Sequence, residues 1–255
     1  MELKDFFIKY PKIALAFSGG VDSSYLLYAA KKYAKECIAY YVNSDFQPEF
    51  ELDDARKLCA QLGMPMKEIN VDVLSDSKII QNTSERCYFC KKNIFSTILK
   101  NARDDGFSVV IDGTNASDDV SDRPGFKALN ELKILSPLRE CALTKSKIRK
   151  LSKKAGLFTW NKPSYSCLAT RQMPCHLITN DALTRTEESE NFLFSLGFSN
   201  FRVRTLVLEN MEECAGIELS EKQYPLFLKN RKRINTELKK HFTKIFVNLE
   251  ARNEQ

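Results

Sequence analysis

Ser18, Gly19, Gly20, Val21, Asp22, Ser23 and Ser24 follow one another directly, and those residue types in that order suit a phosphate ligand. Two adjacent glycines let the backbone turn tightly and approach a ligand, so that amide N–H groups point at phosphate oxygens. The hydroxyls of Ser18, Ser23 and Ser24 add donors, and a helix starting at the end of the loop adds a favourable dipole. Asp22 is the odd member, because a carboxylate repels phosphate. It makes sense as the holder of a Mg²⁺ ion that bridges to a pyrophosphate. The loop has neither the GxxxxGK spacing with its lysine nor a GxGxxG string, which excludes the Walker and dinucleotide-binding patterns there. The plain alternative is a Gly-Gly turn before a capped helix.

Eight cysteines offer a second chemistry: Cys37, Cys59, Cys87, Cys90, Cys141, Cys167, Cys175 and Cys214. With no secretory segment at the start of the chain, a disulfide framework is not expected. Cys37, in the apolar run CIAYYV, and Cys59, on a helical face, read as small buried residues, and Cys141 and Cys214 as structural. The CYFC string of Cys87 and Cys90 differs, lying beside Arg86, Lys91 and Lys92. Such a pair with a remote cysteine suits zinc, with water or Cys175 completing a tetrahedral site. At a helix start beside cations it also suits a thioredoxin-like redox pair.

The elements that must position these groups can be read from hydropathy patterning. Residues 12–17 (KIALAF) form a short apolar strand, followed by the Gly-Gly loop and the helical pattern DSSYLLYAAKKYA. CIAYYVNS, MKEINVD and FSVVIDGTN are further strands, and PEFELDDARKLCAQLG is a helix with a glycine C-cap. CYFCKKNIFSTILKNARDDG is a helix beginning near the cysteine pair. This alternation predicts an α/β fold, a mostly parallel sheet with helices on both faces. Residues 115–126, rich in Asp, Ser, Gly and Pro, form a loop after a strand's C-terminal end, where open α/β sheets place ligands. ILSPLRE is a short strand or turn, LTKSKIRKLSKKAGL a basic amphipathic helix, and residues 159–177 a functional loop. An α+β pattern then restarts. Its helices are 178–198 and 225–242, and its strands are NFRVRTLVLEN, CAGIELS and TKIFVNLE. The expected division is a 1–175 nucleotide domain and a 176–255 acceptor-binding or oligomerisation domain. The 255-residue composition is ordinarily globular, with a formal charge of +6. No stretch reaches the length of a membrane span, so a cytoplasmic protein is expected.

The string SGGVDSS after a strand resembles the PP-loop signature of ATP pyrophosphatases, which split ATP between the α and β phosphates and leave AMP on the acceptor. IDGTNASDDVSDRPG, SPLRECALTKSKIRKLSKKAGL and WNKPSYSCLATR, in that order, resemble the ATP-dependent sulfur transferases of nickel-pincer cofactor biosynthesis (the LarE family), over residues 13–249. The resemblance implies adenylylation of a carboxylate of pyridinium-3,5-biscarboxylic acid mononucleotide, with sulfur then displacing AMP. It places Asp112, Gly113, Thr114 and Asn115 against the nucleotide and Asp118, Asp119 and Arg123 at the same mouth. It places the family's phosphate and carboxylate contacts on FRVRT. There Arg202 and Arg204 alternate with Phe201 and Val203, so a strand sets both guanidinium groups on one face, as two forks for a phosphate or dicarboxylate. The resemblance sets Glu190 at a family carboxylate near the substrate and implies a metal there. The chain ends ARNEQ, without the glycine- and arginine-bearing tail common in the family.

For the sulfur, the resemblance implies one of two sources. Some members sacrifice a cysteine, whose place aligns with Ser166, one residue before Cys167. A second form holds a [4Fe–4S] cluster on three cysteines, and Cys87, Cys90 and Cys167 match that set; ordinary iron–sulfur centres use four. The implied cofactors are therefore ATP, Mg²⁺ and a [4Fe–4S] cluster. A homo-oligomer and a downstream nickel-inserting protein are the expected partners, with no membrane and no nucleic acid. The competing readings are a tRNA thiolase, which would use the basic run Lys229, Arg231, Lys232, Arg233, Lys239 and Lys240 against phosphates, and a non-catalytic nucleotide-binding adapter.

Overall fold

The four apolar runs that precede predicted helices become parallel strands, because each strand is returned to the same end of the sheet by the helix that follows it. A computed structural model of the chain describes residues 1–119 and 124–252. The chain divides into two compact units, the first made of Met1–Val73 and Glu85–Lys162, the second of Leu74–Ser84 and Pro163–Gln255.

In the first unit, β1 (Lys12–Ala16), β2 (Glu36–Asn43), β3 (Met66–Asn70) and β4 (Val110–Ile111) form a sheet of order β3-β2-β1-β4, all pairs parallel. Ile13, Ala14 and Leu15 of β1 are all fully buried. Since successive side chains point to opposite faces, both faces of the sheet are covered. The helices are α1 (Leu3–Lys9), α2 (Val21–Tyr33), α3 (Glu49–Leu62), α5 (Arg86–Asp104), α6 (Pro124–Glu131), α7 (Pro137–Glu140) and α8 (Lys145–Lys154), while α4 (Ser77–Ile80) belongs to the second unit. Helix α3 ends on Gly63 at φ 60°, the left-handed C-cap its glycine predicts. The core joins Phe6 and Phe7 of α1 and Leu26 and Leu27 of α2 to Leu15, Tyr41, Leu58, Ile148 and Leu157. Helix α1, unread in the sequence, is therefore a core element.

The expected strand FSVVIDGTN is much shorter than its pattern, because only Val110 and Ile111 pair with β1. Beyond them the chain meets Leu135, which bridges Ile111 and accepts a hydrogen bond from the Asp112 N–H.

The second unit has β5 (Phe201–Val207), β6 (Glu213–Leu219) and β7 (Ile245–Val247), with β5 and β6 antiparallel and β6 and β7 parallel. Helices α9 (Asn180–Ser195) and α10 (Tyr224–Leu238) pack into its core with Phe198, Phe201, Val203 and Ile217. The division falls at Lys162–Pro163, earlier than residue 175, so the Cys167 loop lies in the second unit. The reason is local pairing within that unit. The Asn82 side-chain amide donates to the carbonyls of Gln172 and Met173, the Cys175 N–H to Asn82 O, and the Ile178 N–H to Ile80 O. Those bonds hold Leu74–Ser84 against the segment after Pro163.

Candidate active site

The turn from β1 to α2 is drawn together by its own hydroxyls. Ser18 Oγ and Ser23 Oγ lie 3.1 Å apart, Ser23 Oγ donates to Gly20 O at 3.2 Å, and the Gly20 N–H donates to Ser18 Oγ at 3.4 Å. Gly19 has φ 68°, and a Cβ there would stand 3.1 Å from the carbonyl oxygen of Glu51, so only glycine fits. The first intrahelical bond of α2 runs from the Ser24 N–H to Gly20 O, so the N–H groups of Val21, Asp22 and Ser23 precede the helical ladder and face the loop end. That is the geometry of an anion cradle.

The segment after β4 closes on this turn. A Cβ at Gly113 would stand 3.0 Å from the Ser23 nitrogen, so the glycine permits a backbone contact. Asp112 is buried, accepting from Ser136 Oγ at 2.6 Å and from Thr114 Oγ1. Asn115 is also buried; its N–H donates to Asp118 Oδ2 at 2.9 Å and its Oδ1 accepts from the Ser117 N–H. Asp112, Thr114, Asn115 and Asp118 thus brace one another. Arg123 lies outside the described residues.

Asp22 projects from the first turn of α2. Its Oδ2 pairs with Lys145 Nζ at 2.5 Å, and its Oδ1 is buried and accepts no hydrogen bond among the described residues. Burial pushes the Asp22 carboxyl above its ordinary range, Lys145 opposes this, and the Asp118 charge adds to the rise. The Ser24 hydroxyl is likewise buried without a partner. Lys145 had no place in the sequence reading. Its one local sign is its position just after Thr144, which caps α8 by accepting from the Lys147 N–H.

Cys87 and Cys90 sit in the first turn of α5, Cys87 exposed and Cys90 half-buried. An Arg86 guanidinium nitrogen lies 3.6 Å from Cys87 Sγ. They belong to the first unit and Cys167 to the second. Among the described residues, no group of three or more His, Cys, Asp or Glu side chains is gathered so as to hold a metal.

In the second unit, Cys167 is half-buried and caps a 3₁₀ turn, Leu168–Arg171. Arg171 is 1% exposed and binds Glu190, also 1% exposed, through two contacts of 2.9 and 3.2 Å. Its other arm donates to the carbonyls of Ser166 and Cys167. Glu190 stands as this arginine's counter-ion, and its oxygens also accept from the Val203 N–H and the Tyr165 hydroxyl. Burial pulls the Arg171 guanidinium down, but the Glu190 carboxylate outweighs it and holds the group above its ordinary value. Burial pushes the Tyr165 phenol up, and Glu190 adds to that, so the phenol keeps its proton.

Arg202 and Arg204 share one face of β5, as alternation predicts. Arg202 is 6% exposed, donates to the carbonyls of Phe201 and Ser164, and lies over the Tyr165 ring. Burial, with the charges of Arg171 and Arg252, pulls it down to about 10. Arg204 pairs with Glu218 and donates to Thr170 O at 2.6 Å. Glu218 is shared with Arg252 at 2.7 Å. The chain end therefore does bring an arginine here, through the bridge between Ser220 and Arg252. Among the described residues, Arg171, Arg202, Arg204 and Arg252 have Glu190 and Glu218 as their acidic partners, so this cluster of described residues is net cationic.

A parallel sheet whose first strand turns through SGGVDSS into a helix defines the PP-loop class of ATP pyrophosphatases. The family model described as queuosine biosynthesis protein QueC matches residues 12–101, which contain that turn. The pyridinium-3,5-bisthiocarboxylic acid mononucleotide synthase of Lactiplantibacillus plantarum is 33% identical over 230 residues, covering 89% of this chain and 81% of that one. An uncharacterized protein of Synechocystis is 32% identical over 230 residues, covering 89% and 84%. The tRNA-specific 2-thiouridylase MnmA of Pseudothermotoga lettingae is 30% identical over 190 residues but covers only 59% and 54%. The chain belongs to the family of the pyridinium-3,5-bisthiocarboxylic acid mononucleotide synthases, and it is an ATP-dependent sulfur transferase. Among the described residues, no helix is long and apolar enough to cross a membrane.

The Arg171–Glu190 pair makes a measurable demand on stability. Arg171→Ala leaves a carboxylate buried without its cation and is expected to cost about 3–5 kcal/mol in urea unfolding. Replacing both partners by methionine should recover only part of that loss, because the Val203 N–H and the carbonyls of Ser166 and Cys167 lose partners as well.

Proposed function

We propose that the enzyme adenylylates a carboxylate of pyridinium-3,5-biscarboxylic acid mononucleotide with ATP, releases pyrophosphate, and replaces AMP by sulfur to give a thiocarboxylate. The observation that carries this reading is Asp22 in the cradle, with one buried oxygen that has no hydrogen-bond partner among the described residues. A Mg²⁺ ion fits it, since that ion is usually held by one or two carboxylates plus substrate phosphates, and Asp118 is close enough to act on the Asp22 charge. When bound, Mg²⁺ neutralises charge on the pyrophosphate as it leaves. The chain's own groups do the rest. Ser18, Gly19, Gly20, Ser23 and Ser24 cradle the phosphates, and Gly113, Thr114 and Asn115 form the wall on which the nucleotide rests. Arg202 and Arg204, in a cluster with more guanidinium than carboxylate, take the acceptor's phosphate or second carboxylate. Arg123 is assigned to the mouth of the site from its place in the sequence motif.

The sulfur is assigned to Cys87, Cys90 and Cys167. As the family resemblance implies, these three thiols would be the ligands of a [4Fe–4S] cluster, which would supply hydrosulfide for the transfer. The proposal includes a cytoplasmic homo-oligomer that passes its product to a nickel-inserting protein, a reading the family resemblance supports.

With the carboxylate acceptor and labelled ATP, the products should be AMP and pyrophosphate, and Asp22→Ala should abolish turnover. Formation of ADP and phosphate would end the assignment.

Arg202→Ala and Arg204→Ala should each raise the acceptor concentration needed by about tenfold or more, as expected for charged hydrogen bonds worth about 1.5–3 kcal/mol, with ATP binding nearly unchanged. Equal weakening of ATP and acceptor would show that the strand is no acceptor site.

Anaerobic purification should give a brown protein carrying about four irons, and Cys→Ala at 87, 90 or 167 should remove both iron and sulfur transfer, whereas Cys175→Ala should keep them. Iron-free protein that turns Cys167 into dehydroalanine during turnover, read by intact mass, would make that cysteine the donor and refute the cluster.

A further inference from the structure

Lys145 opens α8, and its backbone N–H donates to Ser117 Oγ at 3.0 Å. That bond ties the start of α8 to the loop after β4. From there its side chain reaches Asp22, where Nζ stands 2.5 Å from Oδ2. Lysine and aspartate are largely shielded, with side chains 29% and 20% exposed. The carboxylate is nonetheless only half satisfied, because its Oδ1 is buried and accepts nothing among the described residues.

Two oxygens in this state describe a site made for a larger charge than an ammonium supplies. A divalent ion on Oδ1 would sit about 2.0–2.1 Å from that oxygen, so it and the ammonium 2.5 Å from Oδ2 would share one carboxylate and repel each other. Without the lysine, an empty site would hold a shielded carboxylate beside the second negative charge of Asp118, with only the weaker influence of Arg149 to offset it, a costly arrangement.

We propose that Lys145 is a placeholder for the divalent cation: its ammonium occupies Asp22 while the site is empty and leaves when the metal binds. The inference rests on the reading of Asp22 as the metal-holding carboxylate. Lysine suits the task because its charge is compact and its four-carbon stem is flexible. The ammonium can swing away while the backbone of α8 stays tied to Ser117. Once released, it is a second cation beside the cradle, available to phosphate oxygens.

The test uses the full chain and Mn²⁺ alone, with free ion counted by its paramagnetic resonance signal. Lys145→Met should bind Mn²⁺ at least about fivefold more tightly than the wild type, the lower bound of an ordinary coupling between two charges. Lys145→Arg, which keeps the charge, should bind it like the wild type, and Asp22→Ala should lose the site. In the wild-type protein, Mn²⁺ should raise the rate of reductive methylation at Lys145, read by peptide mass spectrometry, as the amine leaves its ion pair. Unchanged or weaker Mn²⁺ binding by Lys145→Met, with the site still lost in Asp22→Ala, would overturn the placeholder and leave Asp22 as the metal carboxylate. Mn²⁺ binding by Asp22→Ala equal to the wild type would instead remove the reading beneath it. A methylation rate at Lys145 that Mn²⁺ does not change would also overturn the placeholder, without any variant having to fold.

Discussion

On the proposed function, a carboxylate standing in the phosphate cradle is the constraint around which the first unit is arranged. To hold a cation as proposed, Asp22 has to stay charged, yet it sits where burial pushes its carboxyl above the ordinary range. A neutral site would waste it, and an unpaired one would destabilise the fold. The structure meets this by bringing α8 and its first residue to the start of α2, and by bracing the loop after β4 on Ser136 and Leu143. The glycines serve the same end. Gly19 allows a backbone conformation and a close approach that a side chain would prevent, and Gly113 lets one backbone lie against another.

The second unit poses the converse problem, with cations in excess. Arg171 is fully neutralised by Glu190, and the pair is tied to the backbone on both sides of Cys167. Breaking it therefore removes more than one ion pair: the loop carrying the cysteine loses its brace. Among the described residues Arg202 pairs with no carboxylate of its own, and its guanidinium is pulled down by burial and by neighbouring arginines. A buried cation so placed is stabilised when an anionic ligand arrives, and the proposed acceptor carries both carboxylate and phosphate. Rigid charged groups that await a ligand reduce the reorganisation needed on binding.

The sharing of Glu218 by Arg204 and Arg252 gives the end of the chain a definite task. Glu218 is held below its ordinary range: burial raises it, but Arg204 and Arg252 outweigh that. Its negative charge is thus secure at neutral pH. One carboxylate then orders two guanidinium groups, and order in one favours order in the other.

Much of the frame was legible because it is periodic or local. Alternating apolar runs predict the parallel sheet, the SGGVDSS string predicts the cradle at its first turn, and Gly63 predicts the end of α3. Alternation also put Arg202 and Arg204 on one face of a strand, where β5 carries them. Tertiary structure decided the partners. Lys145 and Asp22 lie 123 residues apart, and no repeat or spacing links them. Glu190 reads as one acid on a polar helix until Arg171 reaches it, and Arg252 as one cation near the chain end until Glu218 does. Leu74–Ser84 joins the second unit because Ile80 and Asn82 find their hydrogen bonds beyond residue 170. Periodicity reports which face of an element is buried, whereas a charge pair depends on two distant segments meeting. Only the folded chain decides that.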